Sequence, residues 1–506
     1  MERRKFLTSV VLGSSAVAAS AGPGLWAQTV KPAAACEPEA LPHSPGLTRY
    51  VSEFIVGTKY EDIPAEVIAR GKKTLLDAFG VGLAGSVSEP GRHVRLYLGR
   101  QGWLQGQVSI WGTEYKSPAR FAALANGISI HADDFDDTGS SLHSSAPLLP
   151  AVVAYCEMGR RSGKDLMTAF HVGVEVENKI GDAISPRHKA SGFHTTGTCG
   201  VFGSAAASAK LLGLTPTETA MALGIAGSEA SGLRRNYGTM TKPFNAGHAA
   251  EGGVAAADLA ASGFTAAADI LEAPLGFFQA YGGTYTPHLI AGRLGNPWMF
   301  LTPGDMIKRF PCGTIQQPVM DLVLRLVREN HITADEVAQA EVGGNQRNIT
   351  TLMRHHPQNG LEAKFSMEFA VAVILMDGKA GLVQFTDASV QRPEMQAMIE
   401  RVRFYRDPRY DRRAAEGADI QAVLLEPSVV TLHLKSGRTI SAVTQPQKGS
   451  PQNPMSYDEV AEKFRGNAEY ARWPARQAEY VIATVAALEK LADVSPLIRA
   501  LARGKT

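Results

Sequence analysis

Gly200-Val-Phe-Gly-Ser-Ala-Ala-Ala-Ser-Ala-Lys-Leu-Leu212 holds almost nothing but small and apolar side chains, and the run stops at Gly213. Glycine just past a last turn is the usual end of a helix, because it enters the left-handed region without a Cβ clash. Thr215-Pro216-Thr217-Glu218 then opens the next helix, with a Thr/Glu capping box and proline at the first helical position. Alanine and glycine dominate residues 197–264. Helices so poor in bulk can bring their backbones close together, which suits a buried bundle better than a cofactor loop. The expected fold is mainly α.

Working outward, Asp62 and Pro64 open a segment in which Ile68, Leu75, Leu76, Phe79 and Leu83 recur at helical spacing. Residues 120–160 and 164–185 carry a similar period. Near Pro303 the character changes. Val337–Asn348 and Val429–Val443 read as strands, the latter turning at Lys435-Ser436-Gly437-Arg438, and Glu362–Met376 between them reads as a helix. From Ser456 the pattern is helical to the end. These signals predict a large all-helical domain over 45–303, a smaller α+β lid domain inserted at 304–450, and helices over 451–506 that complete the first. A cleft between the two is the expected ligand site.

A chain of 506 residues exceeds one ordinary core, and 44% hydrophobic with 20% charged residues is a globular balance. The formal charge is +2, and cleavage after residue 21 would remove Arg3, Arg4, Lys5 and Glu2 and leave a neutral protein. Such a protein has no field to gather nucleic acid or anionic lipid, and no basic stripe with interleaved aromatics is present. Arg3-Arg4-Lys5-Phe6-Leu7 followed by the apolar run Thr8–Ala21 predicts a twin-arginine signal within residues 1–27, with Ala19-Ser20-Ala21 as a cleavage site. Residues 28–44 read as a linker. The expectation is recognition by twin-arginine export machinery, a periplasmic mature protein, and no membrane insertion after cleavage. Cys36, Cys156, Cys199 and Cys312 match no zinc or iron–sulfur spacing, so no metal or other cofactor is expected.

Three stretches carry candidate chemistry. His131-Ala-Asp-Asp-Phe-Asp-Asp-Thr138 packs four carboxylates into five residues. Crowding raises a carboxylate's pKa, which makes an acid or base; a solvated cap or a divalent-metal site are the competing readings. On a helix Asp134 and Thr138 would share a face, and His143 follows in a serine-rich loop. Next, Gly192-Phe-His194-Thr-Thr-Gly-Thr-Cys-Gly200 sets a histidine before a helix start, with the Thr195, Thr196 and Thr198 hydroxyls near free backbone N–H groups, a pocket for an anion. A threonine N-cap beside a packed histidine is the alternative. Lys242, in the polar insert Gly238–His248, is a carboxylate clamp, a desolvated catalytic base or a surface lysine, and Lys308-Arg309 at the domain junction is a carboxylate clamp or a solvated pair. Together they describe a site for a small polycarboxylate. No phosphate loop, dinucleotide fingerprint, nucleophile elbow or metalloprotease motif is present.

HADDFDDT at 131–138, GFHTTGTCGVFGSAAASAKLLGL at 192–214 and ALGIAGSEASGL at 222–233 resemble the MmgE/PrpD family. So do GTMTKPFNAGHAA at 238–250, KRFP at 308–311 and AKFSMEFAVA at 363–372. The resemblance implies a helical domain with an inserted lid, a homodimer and a metal-free cleft. It places Asp134, Thr138 and His143 on one wall, His194, Thr195 and Lys242 opposite, and Lys308 on the lid. The sequence departs from the family pattern at Ser144 and Asn245, where relatives often carry proline and histidine, and at Gly313, where a histidine is common in decarboxylating relatives. The implied activity is a lyase, first a 2-methylcitrate dehydratase-like hydro-lyase. Alternatives are a cis-aconitate decarboxylase-like enzyme, an isomerase or epimerase of related acids, or an exported carboxylate-binding protein without catalysis. His194 or Asp134 is expected as base and His143 as acid.

Overall fold

A computed structural model describes residues 41–411 and 427–503. The twin-arginine segment, most of the 28–44 linker and Cys36 lie outside the described residues. Among those described, no helix is long and apolar enough to cross a membrane.

The body is a helical bundle. Its principal helices are α1 (Ala65–Val87), α2 (Ala119–His131), α3 (Ser145–Gly159), α4 (Gly163–Ile184), α5 (Gly200–Leu212), α6 (Pro216–Glu229) and α7 (Thr241–Ala261). The local signals form as read: Gly213 ends α5 at φ 70°. Thr215 Oγ1 accepts from the Glu218 N–H while Glu218 Oε2 accepts from the Thr215 N–H, at 3.3 and 2.8 Å. Small residues then set the distances. A Cβ on Gly127 of α2 would stand 2.8 Å from Gly247 Cα of α7, so those helices meet backbone to backbone. That approach brings His131, at the end of α2, against Lys242, in the first turn of α7.

The stretch from Phe310 to Leu434 builds a hydrophobic core of its own. Helices α8 (Gln317–Asn330) and α9 (Met367–Asp377) cover a four-stranded sheet of β1 (Val337–Gly344), β2 (Val402–Arg406), β3 (Val429–Leu434) and β4 (Thr439–Val443). The strand order is β2-β1-β3-β4, parallel between β1 and β2 and antiparallel elsewhere. The chain then returns to the helical body: α10 (Tyr457–Tyr470) packs on α1.

Six local readings need correction. The helical period over 120–160 is interrupted: α2 ends at His131, and residues 132–144 form an irregular loop before α3. Asp134 lies in the left-handed region at φ 51°, so it does not share a helix face with Thr138. The strand from Val337 stops at Gly344, because the Asn345 side chain accepts from the Asn348 N–H at 2.8 Å and caps a short helix. Strand β2 was not anticipated; its partly buried, charge-rich VRFYR lacks the alternation of an amphipathic strand. Glu362–Met376 is two helices broken at 364–366, with Ser366 Oγ capping α9 through the Phe369 N–H at 3.1 Å. Lys242 lies on no insert, being part of the continuous helix α7.

Candidate active site

The loop 132–144 is the centre of the arrangement. Backbone hydrogen bonds in both directions between Thr138 and Met306, at 2.8 and 2.9 Å, tie it to the segment that leads into the sheet region. Asp134, 3% exposed, points into the protein and meets two lysines. Lys242 Nζ donates to its Oδ1 at 2.6 Å, and Lys308 Nζ stands 3.1 Å from the same oxygen. Lys242 also donates to His131 Nε2 at 2.7 Å, and His131 Nδ1 faces Asp136 Oδ2 at 2.8 Å. That chain makes His131 the Nδ1–H tautomer, with its Nε2 lone pair spent on the ammonium.

His143 closes the group. Its Nδ1 donates to the carbonyl of Asp137 at 3.0 Å and lies 3.3 Å from Asp136 Oδ2, which leaves Nε2 as a lone pair 3.8 Å from Asp134 Oδ1. The Thr138 hydroxyl is 3.4 Å from His143 Nδ1 and 3.5 Å from the Thr314 hydroxyl, across from the inserted region. His194 has the opposite arrangement: Asn245 Nδ2 donates to its Nδ1 at 3.1 Å, so Nε2 carries the hydrogen. The His131 and His194 rings stack at 5.8 Å, and Tyr237 stands edge-on to His194. Tyr237 and Phe365 flank Lys242 at 5.7 and 5.6 Å.

Burial sets the charge states. Desolvation pushes His131 down, His194 far down, and His143 to about 3, so all three are neutral near pH 7. Desolvation also lowers Lys242, against the pull of Asp134. Burial would raise Asp134, but the Lys242 and Lys308 ammonium groups overcome it and hold the carboxyl well below its usual range. Asp136 is likewise held down, by His131 and His143. The expected rise from crowding therefore fails at Asp134 and Asp136; it occurs at Asp137, where burial and the facing Asp305 and Asp136 act together.

The structure brings Asp134, Thr138, His143, His194, Lys242 and Lys308 together. Lys308 is fully buried. Thr195 is buried beside His194 but its hydroxyl meets no partner, while Thr196 Oγ1 accepts from the His143 N–H at 3.1 Å and Thr198 Oγ1 bonds His188 at 2.7 Å. Only part of the expected hydroxyl pocket is therefore open to an anion. His131, Asp136, Tyr237 and Phe365 were not singled out from sequence. His131 had a signal available, as the residue that opens the acidic motif. Phe365 had none beyond its motif at 363–372, and Tyr237 falls between two motifs.

Ligand atoms of His131, Asp134, Asp136 and His143 lie within 4.8 Å of one another, close enough for a metal ion. Lys242 already takes both His131 Nε2 and Asp134, so a divalent ion would have to displace a buried ammonium. With Lys242 and Lys308 seated on Asp134, the cluster already holds its own cations. A groove of about 810 Å³ lined by Tyr60, Lys72, Lys164 and Glu489 shares no residue with this cluster.

Family comparison agrees with the motifs. The MmgE/PrpD N-terminal domain model matches residues 49–290 and the C-terminal domain model matches 310–490. The chain belongs to the MmgE/PrpD family. Among its relatives are proteins named cis-aconitate decarboxylase. The Homo sapiens protein is 29% identical over 463 residues, covering 89% of this chain and 93% of that one. The Aspergillus terreus protein (strain NIH 2624 / FGSC A1156) is 27% identical over 485 residues, covering 90% and 96%. By the reaction in their names, these MmgE/PrpD relatives are lyases.

Proposed function

We propose that this chain is a lyase that decarboxylates a small unsaturated tricarboxylate of the cis-aconitate type. The observation that carries the reading is the seat of Asp134: a carboxylate held by two buried ammonium groups, with a neutral imidazole lone pair at 3.8 Å. A substrate carboxylate that competes for Lys242 would find the same cradle. Its negative charge raises the proton affinity of His143, loading Nε2 with a proton. The bond to the departing carboxylate breaks, its electron pair forms a new C=C, and the old π pair takes the proton from His143 as carbon dioxide leaves. Lys242 and Lys308 hold the carboxylates that remain. Asp134 anchors the lysines and is too well stabilised as an anion to act as a base.

A second reading, dehydration of a 2-methylcitrate-like hydroxy acid, is favoured by the opposed tautomers. His143 presents a lone pair that could take a Cα proton, and His194 presents an N–H that could donate to the departing hydroxyl. That exchanges the roles expected from sequence. The test is incubation of the purified protein in deuterated water with cis-aconitate, 2-methylcitrate, citrate and substituted succinates, followed by mass analysis. Loss of carbon dioxide with one deuterium gained on carbon supports the first reading, and loss of water the second. Binding of these acids without conversion of any would leave a carboxylate-binding protein and end the enzyme reading.

A further inference from the structure

The acidic loop is gripped through its backbone by three lysines from three separate parts of the chain. Lys364 Nζ donates to the carbonyl of Asp133 at 3.3 Å, Lys308 Nζ to that of Asp134 at 2.9 Å, and Lys463 Nζ to that of Phe135 at 2.8 Å. These are consecutive carbonyls, just past the end of α2, where helix partners have run out. Each ammonium also meets a carboxylate: Asp133 Oδ1 at 3.0 Å, Asp134 Oδ1 at 3.1 Å and Asp77 Oδ1 at 2.7 Å. The Asp77 contact is an ion pair by distance rather than an aligned hydrogen bond. Lys463 further sits 3.8 Å over the Phe135 ring.

Lys364 comes from the break before α9, in the inserted region, and Lys463 comes from α10, in the C-terminal helices. Both side chains are buried. A buried carbonyl without a donor is costly, and charged donors make the stronger hydrogen bonds. The loop needs such restraint because Asp134 holds a left-handed conformation at φ 51°, which persists only where its surroundings over-determine it. Asp134 in turn orients Lys242 and faces His143.

We propose that Lys364 and Lys463 are positioning residues: they fix the 133–135 backbone so that Asp134, Lys242 and His143 hold their geometry, and they touch no substrate. The site is then complete only when the inserted region and the C-terminal helices are both seated on the loop. The kinetic part of this proposal rests on the lyase reading above.

The test compares Lys364→Met, Lys463→Met and the corresponding arginine variants in the full chain. The Met variants are expected to lose about 10- to 100-fold in kcat with KM within about two-fold, and arginine to restore much of the loss. Hydrogen exchange over residues 132–138 should quicken in the Met variants, return toward wild type with arginine, and stay unchanged across α4–α7. If a Met variant does not fold, the double variants Asp77→Asn/Lys463→Met and Asp133→Asn/Lys364→Met leave no unpaired buried charge and carry the same comparison. Unchanged kcat in variants with a loosened loop overturns the proposal. A rise in KM at constant kcat also overturns it, by making these lysines substrate contacts, as does faster exchange spread through the whole body. If the wild type converts none of the acids, the lyase reading fails, while loop exchange still decides whether the clamp exists.

Discussion

Asp134 and Asp137 belong to the same loop and are both buried, yet their carboxyls are shifted in opposite directions. On the Asp134 side the neighbours are cations: Lys242 at 2.6 Å and Lys308 at 3.1 Å. On the Asp137 side they are acids. Burial and the facing Asp305 and Asp136 push Asp137 well up, and Glu177, buried beside it with neither oxygen bonded, is raised by burial and by Asp137. Asp305 is raised in its turn by burial and by Asp77. One face of the loop is an ion cluster, while on the other burial and neighbouring acids push Asp137, Glu177 and Asp305 toward their protonated forms. The polarity of a loop so rich in aspartate is thus set by what packs on each face.

The contrast can be broken most severely at Asp134. Asp134→Asn leaves Lys242 and Lys308 buried without their anion. Removing one partner of a buried pair costs about 3–5 kcal/mol. Denaturant unfolding should register that loss, and turnover of whichever acid proves to be the substrate should fall at least about 100-fold. Wild-type stability would show that the ion cluster does not bear on the fold.

The acid face should instead register in the pH dependence of stability. An unfolded aspartate titrates near 3.9. Below that pH both states are protonated and Asp305 carries no penalty. As pH rises the unfolded chain ionises first, so stability is lost from about pH 4 up through the raised pKa of Asp305, then levels off. Asp305→Asn should remove on the order of 1–3 kcal/mol of that decline, measured as the difference between urea midpoints at pH 5 and pH 8 (set by the assay). An identical slope in the variant would place the ionised form of Asp305 in the folded protein.

The smallest effect is expected at Asp137. Burial and the nearby acids already push its carboxyl toward the neutral form, an asparagine can still accept from the Ser145 N–H, and His143 is held by the backbone carbonyl of Asp137 rather than by its side chain. Asp137→Asn should change stability by less than about 1 kcal/mol and turnover by only a few-fold. A loss equal to that of Asp134→Asn would mean that the two faces are not different after all.

Much of this was legible in the residues. HADDFDDT stood out by its charge density, and its loop does form the centre of the buried cluster of lysines, aspartates and histidines. The caps at Gly213 and Thr215 and the small-residue run after Gly197 marked helices that form where read. The local errors share a cause. The period over 120–160 hid the loop because Asp134 turns left-handed, held there by lysines from distant segments. Lys364 was hidden in a helical pattern because Ser366 restarts the helix just after it. His131 looked like a flank of the motif until α7 brought Lys242 against it.

Helix periods and caps follow from neighbours along the chain, since helix hydrogen bonds and capping contacts span only a few residues. The mainly α architecture was therefore already written in residue order. Protonation and loop geometry have no such short range. Whether a buried aspartate is an anion or an acid depends on the nearest charges, and those at Asp134 and Asp137 come from residues 242, 308 and 305, as the donor that holds the Phe135 carbonyl comes from residue 463. Only the tertiary structure brings them within the few ångströms over which a Coulomb interaction in a low-dielectric interior outweighs the cost of leaving water.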